Sequence, residues 1–166
     1  MYHKLPSLLL TAAVFSTATS MATAAEQANP TGQILYKAGT QGAFAGPEKY
    51  FTGDVSVEMV FPANDTAHYS GAYVTFQPGA RTAWHHHPAG QHMIVTSGTA
   101  LTATRDGKVI SFKAGDAVWC PPNIEHWHGA TPDAPMTHLV ITASKDGDNV
   151  VWGEKVTAAE YQAASR

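Results

Sequence analysis

Residues 79–98 of the chain read GARTAWHHHPAGQHMIVTSG, and residues 115–130 read GDAVWCPPNIEHWHGA. Within the first stretch, His85 and His87 are separated by one residue. On an extended strand their side chains therefore lie on one face of the sheet, while His86 lies on the other. Because neutral imidazole is a common metal ligand, this alternating pair predicts two ligands directed at one point.

Further ligands can come from neighbouring strands. Gln91 follows a Pro-Ala-Gly turn, so the return strand carries its amide back toward the histidine pair. His126 and His128 form a second alternating pair on a later strand, and one of them can close the site. The spacing therefore predicts a centre for one divalent metal ion, built from separated strands.

The rest of the chain reads as short β runs separated by Gly, Pro and Asp, which is typical of an all-β sandwich or small barrel. The Asp-Gly pair within Arg105–Lys108 predicts a tight hairpin with two positive-φ residues. Thr157 as an N-cap with Glu160 three residues later predicts a short C-terminal helix outside the barrel, ending by Ser165. The predicted strands are Val55–Phe61, Tyr69–Phe76, Gln91–Thr96, Leu101–Arg105, Val109–Phe112, Ala117–Cys120, His126–Gly129 and Met136–Thr142.

The two quoted stretches resemble the two sequence motifs of the cupin family. The first motif requires Gly, five residues, His-x-His, three or four residues, Glu, six residues and Gly. This chain matches it at Gly79, His85, His87 and Gly98, with Gln91 in place of the Glu. The resemblance implies that the all-β fold is a double-stranded β-helix, the jelly-roll barrel of the cupins.

The second motif requires Gly, five residues, Pro-x-Gly, two residues, His, three residues and Asn. Gly115, Pro121 and His126 match, whereas Asn123 replaces the Gly and Ala130 replaces the Asn. The Asn123 substitution matters little, because Asn tolerates positive φ better than most residues. With both motifs in register, the resemblance implies four metal ligands, namely His85, His87, Gln91 and His126.

Gln91 in place of a glutamate changes the charge of the expected centre. Three neutral imidazoles and a neutral amide leave the double charge of the metal uncompensated by its ligands. The ion should therefore be a stronger Lewis acid toward a bound oxygen, and it should attract anions.

A longer similarity, from about Tyr50 to Trp152, is to the bacterial cupin hydroxynitrile lyases, a group of small manganese-dependent enzymes. It is carried by FQPGARTAWHHHPAGQHMIVTSG and GDAVWCPPNIEHWHGATPDAPMTHLVI. In that group the ligands are likewise two His, a Gln and a further His. A catalytic histidine of the group lies at the position of His138.

This similarity implies a metal-dependent lyase that cleaves, or forms, a cyanohydrin such as mandelonitrile, with an aldehyde and cyanide as the other partners of the reaction. The substrate hydroxyl would bind the cation, His138 would act as general base, and His128 could reprotonate the cyanide. The similarity also implies Mn²⁺, although Fe²⁺, Ni²⁺ or Zn²⁺ suit the same ligands. The residues expected to contribute to an apolar pocket are Val74, Phe76, Trp84 and Trp119.

Two other functions are compatible with the pattern. A dioxygenase of the quercetinase type would use iron or copper in a similar cage, but that class usually keeps the glutamate that Gln91 replaces. A non-catalytic periplasmic cupin could instead bind a small ligand in the barrel, with His138 as a buried imidazole that has no catalytic role.

The remaining histidines and the single cysteine have simpler interpretations. His86 and His92 should face solvent by strand alternation, and His68 should be an ordinary surface residue. Cys120 cannot form an intramolecular disulfide, and its apolar neighbours predict a buried structural thiol.

The first 24 residues are predicted to be a signal peptide. A short apolar stretch from Leu5 to Phe15 follows a positively charged start, and Ala22-Thr23-Ala24 has the small-x-small pattern of a cleavage site. Serines and threonines interrupt the apolar run well short of the roughly 20 residues that a membrane anchor needs. We therefore expect an exported protein, periplasmic or secreted, whose residues 25–166 form a single domain.

Charge and size limit the partners. The net charge of −3 and the absence of Lys/Arg runs exclude the basic footprint that nucleic acids require. We expect a small-molecule substrate, no membrane association after signal cleavage, and a homo-oligomer formed through an outer sheet face.

Overall fold

Buried and partly exposed residues alternate strictly along the eight-residue strand Met136–Ala143, as a strand with one face on a core requires. The same alternation recurs at the start of Val55–Phe61 and of Gln91–Ser97. In the computed structural model, which describes residues 32–166, Leu35–Arg166 form one compact unit. Its elements are β1 Ala43–Ala45, β2 Phe51–Thr52, β3 Val55–Phe61, β4 Tyr69–Phe76, β5 Arg81–Thr82, β6 His85–His86, β7 Gln91–Ser97, β8 Thr99–Thr104, β9 Val109–Lys113, β10 Ala117–Cys120, β11 His126–Ala130, β12 Met136–Ala143, β13 Val151–Trp152 and α1 Ala158–Ala164.

The strands form two sheets that enclose the core. One sheet has the order β1-β3-β4-β12-β7-β10, and the other has the order β13-β6-β11-β5-β2, with β8 paired to β11 and β9 paired to β8. Val57, Phe76 and Met93 from the first sheet contact Phe51 and Ala130 from the second in one buried apolar cluster. The all-β jelly-roll barrel expected from the sequence is confirmed.

The predicted strands agree with the structure to within two residues at each end. Three of them, Val55–Phe61, Tyr69–Phe76 and Ala117–Cys120, have the predicted bounds. The strands that were not predicted are two or three residues long, and they are β1, β2, β5, β6 and β13. Such short segments carry too few residues for an alternating pattern to be recognised.

The hairpin between β8 and β9 differs from the tight two-residue turn that the sequence predicted. Gly107 has a φ of 84°, but Asp106 is not among the residues with positive φ. The amide of Gly107 donates to the carbonyl of Thr104, and the amide of Thr104 donates to the carbonyl of Lys108. The loop therefore spans three residues and places only glycine in the left-handed region, which is the next most common hairpin geometry.

Helix α1 packs on the outer face of the second sheet, as predicted. Its N-cap is Thr157, whose side chain accepts from the amide of Glu160 while the Glu160 carboxylate accepts from the Thr157 amide. The Tyr161 ring lies 5.7 Å from that of Trp127, and its hydroxyl donates to the carbonyl of Ala130 at 2.8 Å. The helix therefore covers the outward side of β11, where Trp127 is almost fully buried.

Two backbone positions explain residues of the sequence motifs. Asn123 adopts a φ of 62°, so asparagine occupies the left-handed conformation in place of glycine, as predicted. Gly98 has a φ of 75°, and a Cβ there would collide with the carbonyl oxygen of Pro135. Glycine is thus required at residue 98 for both conformation and space.

The remaining fold predictions concern the cysteine and the N-terminal segment. Cys120 is buried with 6% exposure, which confirms the structural thiol. The predicted signal peptide, residues 1–24, lies outside the described residues. Within residues 32–166, no helix combines the length and apolar content that crossing a membrane would need.

Candidate metal centre

Three histidines on the inner face of the second sheet approach one another. His85 begins β6 and His126 begins β11, and the two residues are directly paired between these strands. His128 lies two residues further along β11 on the same face. One ring nitrogen from each of the three lies within 4.8 Å of the others, so they could hold one metal ion.

His87 and Gln91 lie beside this cluster. The His87 ring centroid is 5.0 Å from that of His85 and 5.5 Å from that of His126. Gln91 begins β7 on the opposite sheet, and its side chain lines the same cavity as His85 and His87. The structure thus brings His85, His126 and His128 together, with His87 and Gln91 beside them. Either member of the pair His126 and His128 was expected from the sequence to close the site.

The orientation of three imidazoles is fixed by backbone carbonyls. In each ring Nδ1 lies within hydrogen-bond distance of a carbonyl oxygen, and with Nδ1 as the donor, Nε2 carries the free lone pair. Metal-binding histidines usually donate such a hydrogen bond from the ring nitrogen that does not bind the metal. The pairs are His85 with Ala83 at 3.0 Å, His87 with Asn149 at 2.6 Å, and His126 with Ile124 at 2.9 Å.

Several buried polar atoms that face the site have no hydrogen-bond partner among residues 32–166. These are Nε2 of His87, Nε2 of His126, Nδ1 of His128 and Oε1 of Gln91. The Gln91 amide is held with its nitrogen donating to the hydroxyl of Thr142 at 2.8 Å, so the oxygen is left as an acceptor. Because buried polar atoms are costly without partners, this set of lone pairs fits a cation bound at this point.

Burial keeps the imidazoles of the site neutral. It lowers the pKa of His87 to about 4, and it lowers the pKa values of His85 and His128 well below the ordinary value for histidine. The neighbouring imidazoles lower the pKa values of His85 and His128 further. Neutral imidazole is the form that binds metals, so the electrostatics of the site favour ligation.

His138 lies on β12 next to His128. Its side chain is fully buried and stacks on Phe76 with the ring centroids 5.6 Å apart. The His138 and His128 rings are 4.9 Å apart, and burial lowers the pKa of His138 to about 3. Neither ring nitrogen of His138 has a hydrogen-bond partner in the described part of the chain.

An apolar cavity of about 280 Å³ ends at the histidines. Its volume lies near the lower end of the range for ligand pockets, roughly 300–1,000 Å³. Trp152 forms part of the wall, with its ring 4.9 Å from that of His85 and stacked on Tyr50 at 4.6 Å. The other apolar lining residues are Phe44, Pro47, Phe51, Val57, Met59, Ala72, Val74, Val140 and Val150.

The predicted pocket residues are only partly correct. Val74 lines the cavity, whereas Phe76 lies in the core behind it and Trp84 belongs to the cluster under helix α1. Trp119 is 46% exposed, and its ring lies 4.4 Å from that of His92 outside the barrel. On β10 the side chain of Trp119 points away from the core, because the alternate residues Val118 and Cys120 pack into it.

The histidines that were assigned to the surface are found there. His68 and His92 are exposed, and His86 is half-buried on the outer side of β6. His86 therefore separates the two inward-facing residues His85 and His87, as the alternation predicted.

Comparison with known proteins agrees with this architecture. A family model described as "Cupin domain" matches residues 72–142. The (R)-mandelonitrile lyase of Granulicella tundricola is 47% identical over 128 residues, which cover 77% of this chain and 98% of that protein. This chain belongs to the cupin family.

Solved structures of other proteins share the barrel. A cupin-like protein from Thermotoga maritima is 36% identical to this cupin, with a TM-score of 0.70 over 80% of this chain and 98% of that one. The polyketide cyclase RemF from Streptomyces resistomycificus aligns with a TM-score of 0.61 over 79% and 99% of the two chains. At 16% identity, the second likeness concerns the fold alone.

Sequence reasoning missed two contributors to the site of this cupin. Trp152 belongs to β13, a two-residue strand without a recognisable pattern. Thr142 ends the inward-facing row of β12 and orients Gln91, but a threonine in a strand carries no signal of that role. In both cases only the pairing of distant segments reveals the contact.

Proposed function

We propose that this cupin is a metal-dependent carbon-carbon lyase that cleaves, or forms, a cyanohydrin such as mandelonitrile. The observation that carries the proposal is the buried histidine cluster at the closed end of an apolar cavity. The 47% identity to an (R)-mandelonitrile lyase supports the reaction type. The products of cleavage would be an aldehyde and cyanide.

We assign the metal ligands to His85, His87, Gln91 and His126. The assignment is supported by the unpartnered Nε2 atoms of His87 and His126 and by the unpartnered Oε1 of Gln91. The bound ion is proposed to be Mn²⁺, with Fe²⁺, Ni²⁺ and Zn²⁺ also suited to these donors. When bound, a divalent ion supplies Lewis acidity, which makes a substrate hydroxyl easier to deprotonate.

Proton transfer is assigned to His138 as general base; the proton would then pass to the adjacent His128, which returns it to the leaving cyanide. His128 lines the cavity, and the ring of His138 contacts it from the side of β12. Burial keeps both imidazoles neutral before substrate binds, as a base must be. The negative charge that develops on the substrate would stabilise a newly protonated imidazole nearby. The buried pair His128 and His138 can therefore hold a proton transiently.

The cavity walls favour an aryl substrate and exclude water. Trp152 and Phe51 present aromatic surface near His85, and Val74 and Val140 extend the apolar wall. Burial of an aromatic ring against these side chains would hold the reacting carbon near the histidines.

The test is to remove bound metal with a chelator, reload the protein with each of the four ions, and assay (R)- and (S)-mandelonitrile separately. Benzaldehyde and cyanide should appear in equal amounts with the Mn²⁺-loaded protein and not with the metal-free protein. His92→Ala is a matched control, because its imidazole lies on the outer surface. No product above the metal-free level would refute the lyase, and oxygen uptake with a flavonol would then favour the dioxygenase alternative.

The proposed location is outside the cytoplasm, periplasmic or secreted, after cleavage near Ala24. The support is the sequence pattern of residues 1–24. N-terminal sequencing of the protein recovered from a bacterial host should give a first residue at or near Ala25. A retained Met1 in the recovered protein would refute export by this route.

We also propose a homo-oligomer that buries the outer face of the six-stranded sheet. Tyr73, Leu139 and Ile94 are neighbours across β4, β12 and β7 on this face, and Ile141 extends the apolar patch. Two copies carry charge of the same sign, so an uncharged patch is where they can meet without repulsion. Light scattering should give a multiple of the chain mass, and Leu139→Glu should give the single chain mass.

A further inference from the structure

Arg105, outside the cavity, binds two acidic residues from different parts of the chain. Its Nε donates to the Glu125 carboxylate at 2.8 Å, and one terminal nitrogen donates to the Glu154 carboxylate at 2.5 Å. The guanidinium also lies 3.9 Å from the centre of the Trp84 ring. One side chain therefore contacts three segments that are separate in sequence.

Each of these segments leads into the proposed metal centre. Glu125 immediately precedes His126, and Trp84 immediately precedes His85. Glu154 lies two residues after Trp152, and its carbonyl accepts from the Trp84 amide at 2.9 Å. Arg105 thus contacts the residue that precedes each of two proposed ligand histidines, and it also contacts a residue close to the cavity wall.

Two of the strands near Arg105 are short. The sheet order is β13-β6-β11, and both β6 and β13 contain two residues. Arg105 binds Glu125, which precedes β11, and Glu154, which follows β13. It therefore bridges the strands on both sides of β6. Besides this bridge, β6 is held by its pairing with β11 and β13 and by backbone hydrogen bonds of the flanking residues Trp84 and His87.

We propose that Arg105 is a positioning residue that fixes the separation of His85 and His126 by clamping β11 and β13 across β6. The inference rests on the metal centre of the proposed function, but it does not depend on which substrate is turned over. Outer partners of this kind hold ligands at the distances that a metal requires.

The exposure of the ion pairs of Arg105 argues against a main role in overall stability. The side chains of Arg105, Glu125 and Glu154 are 36%, 47% and 68% exposed, and exposed ion pairs contribute little to stability. Lysine cannot replace the planar fork that reaches two carboxylates and stacks on an indole. Arg105→Lys should therefore weaken Mn²⁺ binding although it keeps the positive charge.

The experiment measures Mn²⁺ affinity by electron paramagnetic resonance on metal-free protein, for Arg105→Ala, Arg105→Lys and the double variant Glu125→Gln/Glu154→Gln. We expect the dissociation constant to rise about tenfold in all three, within the range known for outer-shell partners of metal ligands. The zero-field splitting of the bound ion should also change. Controls are Lys108→Ala on the same hairpin and Phe112→Leu in the core away from the cavity.

Each outcome decides the proposal. Phe112→Leu should lower the melting temperature without changing the dissociation constant or the resonance spectrum. Wild-type affinity and spectrum in the Arg105 variants would overturn the clamp, as would equal weakening by Phe112→Leu. A wild-type protein that binds Mn²⁺ but does not cleave mandelonitrile would refute the lyase and leave the clamp intact, whereas failure to bind any divalent ion would refute both.

Discussion

The rings of His128 and His138 lie 4.9 Å apart and nearly perpendicular, and of the two only His128 lines the cavity. His138 is held from the other side by Phe76. A proton accepted at His138 therefore remains in a buried pair of imidazoles instead of escaping to water. This arrangement gives the two histidines separable roles that mutation can test.

His138→Ala should keep its bound metal and lose turnover. Removal of a general base lowers kcat by roughly 10²- to 10⁴-fold, and His138 is not one of the four residues assigned as ligands. The measurement is kcat for mandelonitrile cleavage together with metal content by elemental analysis. Turnover equal to that of the unmodified protein would remove His138 from the mechanism.

Comparison of His87→Ala with His128→Ala should identify the third histidine ligand. We expect His87→Ala to bind Mn²⁺ at least tenfold more weakly and His128→Ala to keep most of its affinity, because loss of a direct ligand costs at least as much as loss of an outer partner. Titration calorimetry on metal-free protein measures both. The reverse order of affinities would assign the ion to His85, His126 and His128, whose ring nitrogens lie within 4.8 Å of one another.

Metal removal should lower thermal stability. An ion that binds only the folded chain stabilises it by about 2.7 kcal/mol when its free concentration is one hundred times its dissociation constant. The melting temperature should fall after chelation and return when Mn²⁺ is added. A melting temperature that is independent of metal would contradict a centre built into the fold.

Gly98→Ala should destabilise the protein more than Gly107→Ala. Both glycines have positive φ, so each substitution has a conformational cost of about 1 kcal/mol. At Gly98 the added methyl group would also meet the carbonyl oxygen of Pro135, whereas Gly107 has open space. Urea unfolding of the two variants measures the difference, and equal losses would show that the backbone relaxes around residue 98.

The thiol of Cys120 should not react in the folded protein. Burial raises its pKa to about 12, so the thiolate that reacts with disulfide reagents is scarce at neutral pH. A chromogenic disulfide reagent should detect no thiol at pH 8 before a denaturant is added and one thiol per chain afterwards. Rapid labelling of the native protein would show that β10 opens readily.

The long strands could be predicted from the sequence because one face of each lies on the core. In β12 the alternation continues for eight residues, and the predicted range Met136–Thr142 is only one residue short. The two-residue strands β6 and β13 could not be predicted, because they are defined by partners distant in sequence. The prediction of a two-residue turn at Asp106-Gly107 was wrong in detail, because two-residue and three-residue hairpin loops contain similar residues.

The inward direction of His85, His87, His126 and His128 could be predicted because their spacing encodes which face of the sheet they occupy. The walls of the cavity could not, since aromatic residues are equally suited to a core, a cavity and a surface. Trp119 and Trp152 illustrate this limit. Both are tryptophans in short strands, yet one contacts His92 outside the barrel and the other lies beside His85.

The pairing of β6 with β13 also sets an order of events during synthesis. Residues 85–86 find one of their two strand partners only when residues 151–152 have been synthesised. The wall that Trp152 gives to the histidine cluster is therefore absent from every shorter nascent chain. The cavity beside the histidines is therefore closed on this side only after residues 151–152 have paired with β6.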